Sequence, residues 1–284
     1  MMDALATLAV TGVTGVVGGL VSRGLELKGL SHRLLVRTPA KAPEVAGTSI
    51  HAASYADGQA ARAALSGVAT LFMVSAAESE TRLDEHRTFI DAAAAAGVRH
   101  VVYTSFVGAA PDATFTLARD HFFTEEHIRG SGMGWTFLRD NFYMDIMEHL
   151  VGTDGVIRGP AGDGTCAIVA REDVARVAVE VLGDPEKHSS KSYDITGPEA
   201  LSFEQIAATL SDVRGHAVSF HDESVAEAYD SRGHYGAQAW ELDAWVSTYT
   251  AIRSGELAQV SGAVHDITGI SAVSFERFLR EHSV

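Results

Sequence analysis

Short apolar runs alternate with segments of helical spacing along the first half of this chain. Leu5-Ala6-Thr7-Leu8-Ala9-Val10 predicts a strand. A glycine-rich turn then leads into a helix reaching towards Lys28, with Val16, Leu20 and Gly24 on one side. His32-Arg33-Leu34-Leu35-Val36 predicts the second strand, and Ser49 to Ala53 the third. Val68 to Val74 is apolar almost throughout, the pattern of a strand buried on both faces. An alanine-rich helix over Glu80 to Ala96 ends at Gly97, which serves as its C-terminal cap. Strands follow at His100 to Ser105 and Trp135 to Arg139, with a helix over Thr116 to Arg129 between them. This alternation predicts an α/β fold, a Rossmann-type doubly wound parallel sheet with right-handed crossovers. Ligands of such sheets lie beyond the carboxyl ends of the strands, here Gly12, Arg37, Ser75, Ser105 and Asn141.

The second half is less regular. Gly152 to Gly164 is rich in glycine and predicts a loop or hairpin around Gly159-Pro160. Val174, Val177, Ala178, Val181 and Leu182 mark one face of a helix over Glu172 to Leu182. A short strand follows at Tyr193 to Thr196, and Ser202-Phe203-Glu204-Gln205 forms a capping box opening a helix through Leu210. Residues 222–262 are acidic and mostly helical in pattern. The last helix places Phe275, Phe278 and Leu279 on one face. The division expected is a Rossmann domain over 1–150 and a smaller α+β substrate lobe over 151–284. The lobe is expected to interleave with the first domain, the strand near 193–196 returning to that domain's sheet.

Composition narrows the class. The 284 residues are 46% hydrophobic and 21% charged, enough for a sizeable core and incompatible with wholesale disorder. A net charge of −15 opposes binding along a phosphate backbone, so no nucleic-acid partner is expected. No apolar run reaches the roughly 18 residues that a membrane span needs. Met1-Met2-Asp3-Ala4-Leu5 lacks the basic flank of a signal peptide, and the expectation is a cytoplasmic protein. Cys166 is the only cysteine, which excludes an internal disulfide and a cysteine-based zinc cluster. Assembly stays open, a homodimer included.

The strongest chemical signal is Thr11-Gly12-Val13-Thr14-Gly15-Val16-Val17-Gly18, between the first strand and the first helix. Gly12 permits the turn, Gly15 lets the backbone approach a pyrophosphate, and Gly18 lets the helix pack against the strand. The new helix offers unpaired N–H groups, including those at Val16 and Val17, and the positive end of its dipole. The second strand ends in Val36-Arg37-Thr38-Pro39-Ala40-Lys41, with no acid before Glu44. An acid there would accept from the NAD ribose, whereas an arginine pairs with the NADP 2′-phosphate. Arg37 and Lys41 therefore predict NADP(H) as the cofactor.

These residues, in their order, resemble the NmrA-like branch of the atypical short-chain dehydrogenases. Further carriers of the likeness are Tyr55-Ala56-Asp57, Tyr103-Thr104-Ser105, Trp135-Thr136-Phe137-Leu138-Arg139-Asp140-Asn141-Phe142-Tyr143, Asp173-Val174-Ala175, Ile195-Thr196-Gly197-Pro198 and Ser274-Phe275-Glu276-Arg277-Phe278-Leu279. The branch includes quinone reductases, triphenylmethane reductases, plant phenylcoumaran and isoflavone reductases, and non-catalytic NADP-sensing regulators. The resemblance implies a Gly12 loop, with Thr14, Gly15 and Gly18, holding the pyrophosphate, and Asp57 beside the adenine. It implies Ser75, Ser105 and Phe106 bordering the nicotinamide ribose, and Asn141, Phe142 and Tyr143 flanking nicotinamide and substrate.

The branch's departures from typical short-chain dehydrogenases set the chemistry. Those enzymes use Tyr-x-x-x-Lys, the lysine lowering the tyrosine pKa so that it protonates an alkoxide. None of the seven tyrosines here has a lysine four residues on. The resemblance places His121 where the plant reductases carry a lysine, and His121 and Tyr143 are the candidate proton donors. Hydride addition to a ketone makes a basic alkoxide that needs such a donor. Addition to a quinone makes a weakly basic hydroquinone anion, which water protonates. The chain is therefore read as an NADPH-dependent oxidoreductase passing hydride to a small conjugated acceptor, a quinone, an enone or similar. The alternative is a non-catalytic NADP(H)-binding redox sensor. No metal is expected, because His121, Glu125 and His127 match no fixed ligand motif. Cys166, in an apolar stretch, reads as a packing residue. The aromatic residues between Tyr229 and Tyr249 either line a substrate lid or fill the core of the small lobe.

Overall fold

The computed structural model describes residues 7–282. Leu5 and Ala6 of the first expected strand lie outside the described residues. The strand itself is β1 (Leu8–Val10). Helix α1 (Val16–Leu27), β2 (His32–Val36), β3 (Thr48–Ala52), α2 (Gly58–Leu65) and β4 (Thr70–Met73) follow. Then come α3 (Arg82–Ala96), β5 (His100–Phe106), α4 (Thr116–Gly130) and β6 (Gly134–Asp140). All residues of β2 and β5 are buried, including the polar His32, Arg33, His100, Thr104 and Ser105.

After β6 the chain forms β7 (Val156–Gly159), β8 (Thr165–Cys166), α5 (Arg171–Gly183), β9 (Lys191–Ile195), β10 (Leu201–Ser202) and α6 (Phe203–Arg214). It ends in β11 (Ser219–Asp222), α7 (Val225–Arg232), α8 (Ala239–Arg253), α9 (Ala263–Thr268) and α10 (Phe275–Glu281). Seven strands make one sheet in the order β3-β2-β1-β4-β5-β6-β9, and β9 is the late strand expected to return. The ladders among β1 to β5 are parallel, with Val10 opposite Leu34 on one side and Phe72 on the other. The order reverses between β1 and β4, so a crevice opens beyond their carboxyl ends.

Alternation along the strands sends Ala9, Leu35, Leu71, Met73, Val101 and Tyr103 to one face, under Leu65 of α2, Phe89 of α3 and Ile128 of α4. On the other face α1 and α5 pack closely. A Cβ at Gly24 would lie 2.6 Å from Val179 Cγ2, so only glycine allows this approach.

The chain resolves into two compact units whose segments interleave along the sequence. One holds the chain to Ser105, Asp120–Arg139 and Val174–Tyr193; the other holds Phe106–Arg119, Asp140–Asp173 and the chain from Asp194. The second unit has its own core, built on rings of Phe106, Phe115 and Phe142 with centroids 5.0 to 5.3 Å apart. Its glycine-rich segment makes a tight turn ahead of Gly159-Pro160, with Val151 bridged antiparallel to Ile157. Strand β7 pairs in parallel with β11, and β8 pairs antiparallel with β10.

Candidate active site

A cleft of about 370 Å³ lies beyond the carboxyl ends of β1 to β4. Thr11, Gly12 and Thr14 line it after β1, Arg37 after β2, Tyr55 after β3, and Ser75 to Ser79 after β4. Gly12 has φ +66°, and a Cβ there would meet Val74 Cβ at 2.9 Å. Gly15 is the N-cap of α1 and makes no side-chain capping bond. The first-turn N–H groups of α1 have no intrahelical acceptor and are donors for an anion. Arg37 is exposed on the cleft wall. These residues fit NADP(H): bare amides for the pyrophosphate and a guanidinium where the 2′-phosphate belongs.

Other expected cofactor contacts are placed elsewhere. Lys41 is exposed at the end of the single turn Pro39–Lys41, outside the cleft lining. Asp57 is the N-cap of α2, its Oδ1 accepting from the Ala60 N–H at 3.0 Å. Ser105 is a correction. It is fully buried, and its hydroxyl donates to Glu125 Oε1 at 2.6 Å instead of lining the cleft. Strand alternation puts it on the α4 side, with Tyr103.

His121 belongs to the same buried layer and is a second correction. Arg82 Nη2 lies 3.0 Å from its Nε2, and an arginine only donates, so Nε2 accepts. The ring proton then sits on Nδ1 and is donated to Tyr103 Oη at 3.0 Å. Burial, with Arg82 and His86 nearby, holds the His121 pKa well below its usual value. Both ring nitrogens are engaged within this layer, and the ring proton is given to Tyr103. We therefore expect NADPH oxidation with a quinone to show no titration that His121→Gln removes between about pH 6 and 8. A rate that falls with rising pH in the parent and stays flat in the variant would restore His121 as the donor.

This layer also shapes the cleft. His86 Nε2 accepts from the Ala76 N–H at 2.8 Å, and Arg82 Nε donates to Ala76 O at 3.1 Å. Both backbone groups of one cleft residue are thus fixed by side chains of α3. Tyr55 does similar work, donating to Val74 O at 2.5 Å and lying 2.6 Å from Thr11 Oγ1.

The remaining expected site residues lie in the second unit. Asn141 is buried; its Nδ2 donates to Leu257 O at 3.0 Å, and its Oδ1 accepts from the Phe142 N–H and from Cys166 Sγ. Its side chain therefore holds the unit together and does not reach a ligand. Phe106 is buried in the three-ring core, while Phe142 is half-buried there. The Tyr143 hydroxyl donates to Asp140 Oδ2, and the Arg171 guanidinium lies 4.5 Å over its ring. Burial and then the Asp140 charge push the phenol well above its usual pKa, which makes it a poor acid. Burial likewise raises the Cys166 thiol. Among the described residues, no three His, Cys, Asp or Glu side chains group as metal ligands do.

Residues 5–249 match the NmrA-like family model. The chain belongs to the NmrA-like family. It is 31% identical over 281 residues to the NAD(P)H azoreductase of Xenophilus azovorans, covering 97% of this chain and 98% of that one. It superposes with a TM-score of 0.88, at 30% identity, on the NADPH-dependent quinone oxidoreductase of Escherichia coli solved with NADPH, covering 96% of this chain and 99% of that one. The triphenylmethane reductase of a Citrobacter species, solved with NADP(H), gives 0.86 at 28% identity, covering 96% and 99%.

Tyr55 and Ala76 are among the cleft residues that sequence reasoning did not single out as a site. The signal for Tyr55 was present: a large aromatic just past a strand's carboxyl end, in a fold whose ligands lie there. Ala76 carries none, because only its backbone acts. No helix of the described residues is long and apolar enough to cross a membrane.

Proposed function

We propose that this NmrA-like protein is an NADPH-dependent oxidoreductase whose acceptor is a small conjugated molecule, a quinone or a comparably delocalised electrophile. The reduced nicotinamide supplies hydride when bound. The chain's own contribution is binding and orientation: α1 amides for the pyrophosphate, Arg37 for the 2′-phosphate, and a loop fixed through Ala76 by Arg82 and His86. The observation that carries the acceptor class is that neither candidate donor has its proton turned to a ligand. His121 is a neutral, doubly bonded imidazole, and the Tyr143 proton is committed to Asp140. An acceptor whose reduced form takes its proton from water matches such a site. The azoreductase and quinone oxidoreductase named above support the same reading. The expectation of a cytoplasmic protein, as monomer or homodimer, goes with this proposal.

The test is NADPH oxidation with 1,4-naphthoquinone, an enone and an unconjugated ketone. Turnover of the quinone and none of the ketone is expected. Tight NADPH binding with no turnover of any acceptor would sink the enzyme reading in favour of the redox sensor. Cofactor choice has its own check. Arg37→Glu is expected to weaken NADPH binding by about 1.5 kcal/mol, the low end for an exposed charged contact and roughly tenfold in affinity. NADH binding should be spared. Lys41→Glu should do much less. An unchanged ratio of NADPH to NADH affinity in Arg37→Glu removes Arg37 from the site.

A further inference from the structure

Arg37 fixes which half of the NADP(H) cleft takes the adenosine, because the phosphate it pairs with sits on the adenosine ribose. The base hangs from the neighbouring ribose carbon, so it falls in the same half, where Leu35, Ala53, Tyr55 and Ala56 form the lining past β2 and β3. Asp57 is not in that lining, since its side chain caps α2. Two residues of α3 are. Glu85 and Phe89 stand one helical turn apart on the same face, and Phe89 packs on Tyr55 with ring centroids 4.3 Å apart. That contact places Glu85 at the adenosine half as well.

A carboxylate in a cleft for an anion is unfavourable unless it meets a donor. Glu85 is half-buried. Among the described residues its carboxylate takes one hydrogen bond, from Thr81 Oγ1 to Oε1 at 3.0 Å, which leaves Oε2 open. The adenosine end of the cofactor offers two kinds of donor. The ribose 3′-hydroxyl lies between the 2′-phosphate and the pyrophosphate, where a carboxylate would be repelled. The exocyclic N6 amino group lies at the far edge of the base, away from every phosphate, and carries two N–H donors. It is the donor that a carboxylate in this half can accept from without facing an anion.

We propose that Glu85 is a specificity-determining residue that reads the cofactor's base, its carboxylate accepting from the adenine N6 amino group. Arg37 then selects the 2′-phosphate and Glu85 selects adenine over a 6-oxo purine. The proposal rests on the NADP(H) assignment of the cleft and is independent of which acceptor is reduced.

The test is fluorescence titration of the full chain with NADPH and with its hypoxanthine analogue, in which a carbonyl oxygen replaces the N6 amino group. No acceptor is present, so the result does not depend on turnover. The parent is expected to bind NADPH more tightly by about tenfold. Glu85→Gln keeps the shape of the side chain and can turn its NH2 group to the carbonyl, so the preference should vanish or reverse. Two controls should keep the parental preference. Asp84→Asn lies on the same turn of α3 but outside the lining, and reports the effect of a first-turn charge on the helix dipole. Glu78→Gln removes the other acid of the lining, in the loop after β4. Equal affinity of the parent for the two nucleotides, a preference that survives Glu85→Gln, or one lost in either control overturns the proposal. Binding of neither nucleotide would overturn the NADP(H) assignment itself, and the proposal with it.

Discussion

Glu125→Ala is expected to be among the most destabilising single substitutions in the chain. Glu125 is fully buried on α4 and accepts four hydrogen bonds. Ser105 Oγ approaches at 2.6 Å, Arg139 gives two contacts at 2.8 and 2.6 Å, and Arg129 gives one at 3.0 Å. Truncation leaves two guanidinium groups facing an empty site and orphans a buried hydroxyl. Removing one partner of a buried ion pair costs about 3–5 kcal/mol. The arginines are partly solvated, with side chains 30% and 23% exposed, which places this case at about 3 kcal/mol. For a protein of this size, the melting midpoint should fall by roughly 10 °C. Glu126→Ala is the control. Its pair with Arg129 is half exposed, and its loss should cost less than about 0.5 kcal/mol. Equal melting midpoints for the two variants would show that the Glu125 network contributes nothing to the fold.

The same residue shows where sequence reading stopped. Strands, helices and the glycine turn were legible because their signals are local. Period-two and period-3.6 patterns and backbone freedom at Gly12 need no knowledge of neighbours. Side-chain direction at the site was not legible. His121, Thr124, Glu125 and Ile128 stand at i, i+3, i+4 and i+7 and are all buried, so the inner stripe of α4 is mostly polar. From sequence, His121 was a candidate proton donor, and Glu125 had no role. In the structure the spacing marks the core-facing stripe, where Arg82, Tyr103, Ser105 and Arg139 satisfy them. Asn141 followed the same course, with Leu257 supplying its acceptor from far along the chain. The β7–β11 pairing was hidden for a related reason. It joins segments remote in sequence, and four-residue strands carry too little periodicity to announce a partner.

Gly15→Val and Gly18→Ala, three residues apart in one loop, should fail in different ways. A Cβ at Gly15 would lie 3.3 Å from Gly12 O and has no other neighbour within 4 Å, so a valine fits with a small adjustment. Its methyl groups then project from the N-cap of α1, over the amides that receive the pyrophosphate. The fold should persist, and NADPH affinity should fall about 100-fold or more, since those amides are masked and their ligand displaced. A Cβ at Gly18 would sit 2.4 Å from Gly12 O and 2.7 Å from Thr11 O, both backbone atoms that no rotamer change can move. Helix α1 must lift from β1, at a cost of about 1–3 kcal/mol for overpacking. Gly18→Ala should therefore lower the melting midpoint as well as weaken NADPH. Circular dichroism and fluorescence titration of both variants separate the two effects. Parental NADPH affinity in a folded Gly15→Val would move the pyrophosphate away from α1. It would leave Gly18 as a packing residue alone, because the clash at Gly18 involves only the chain itself.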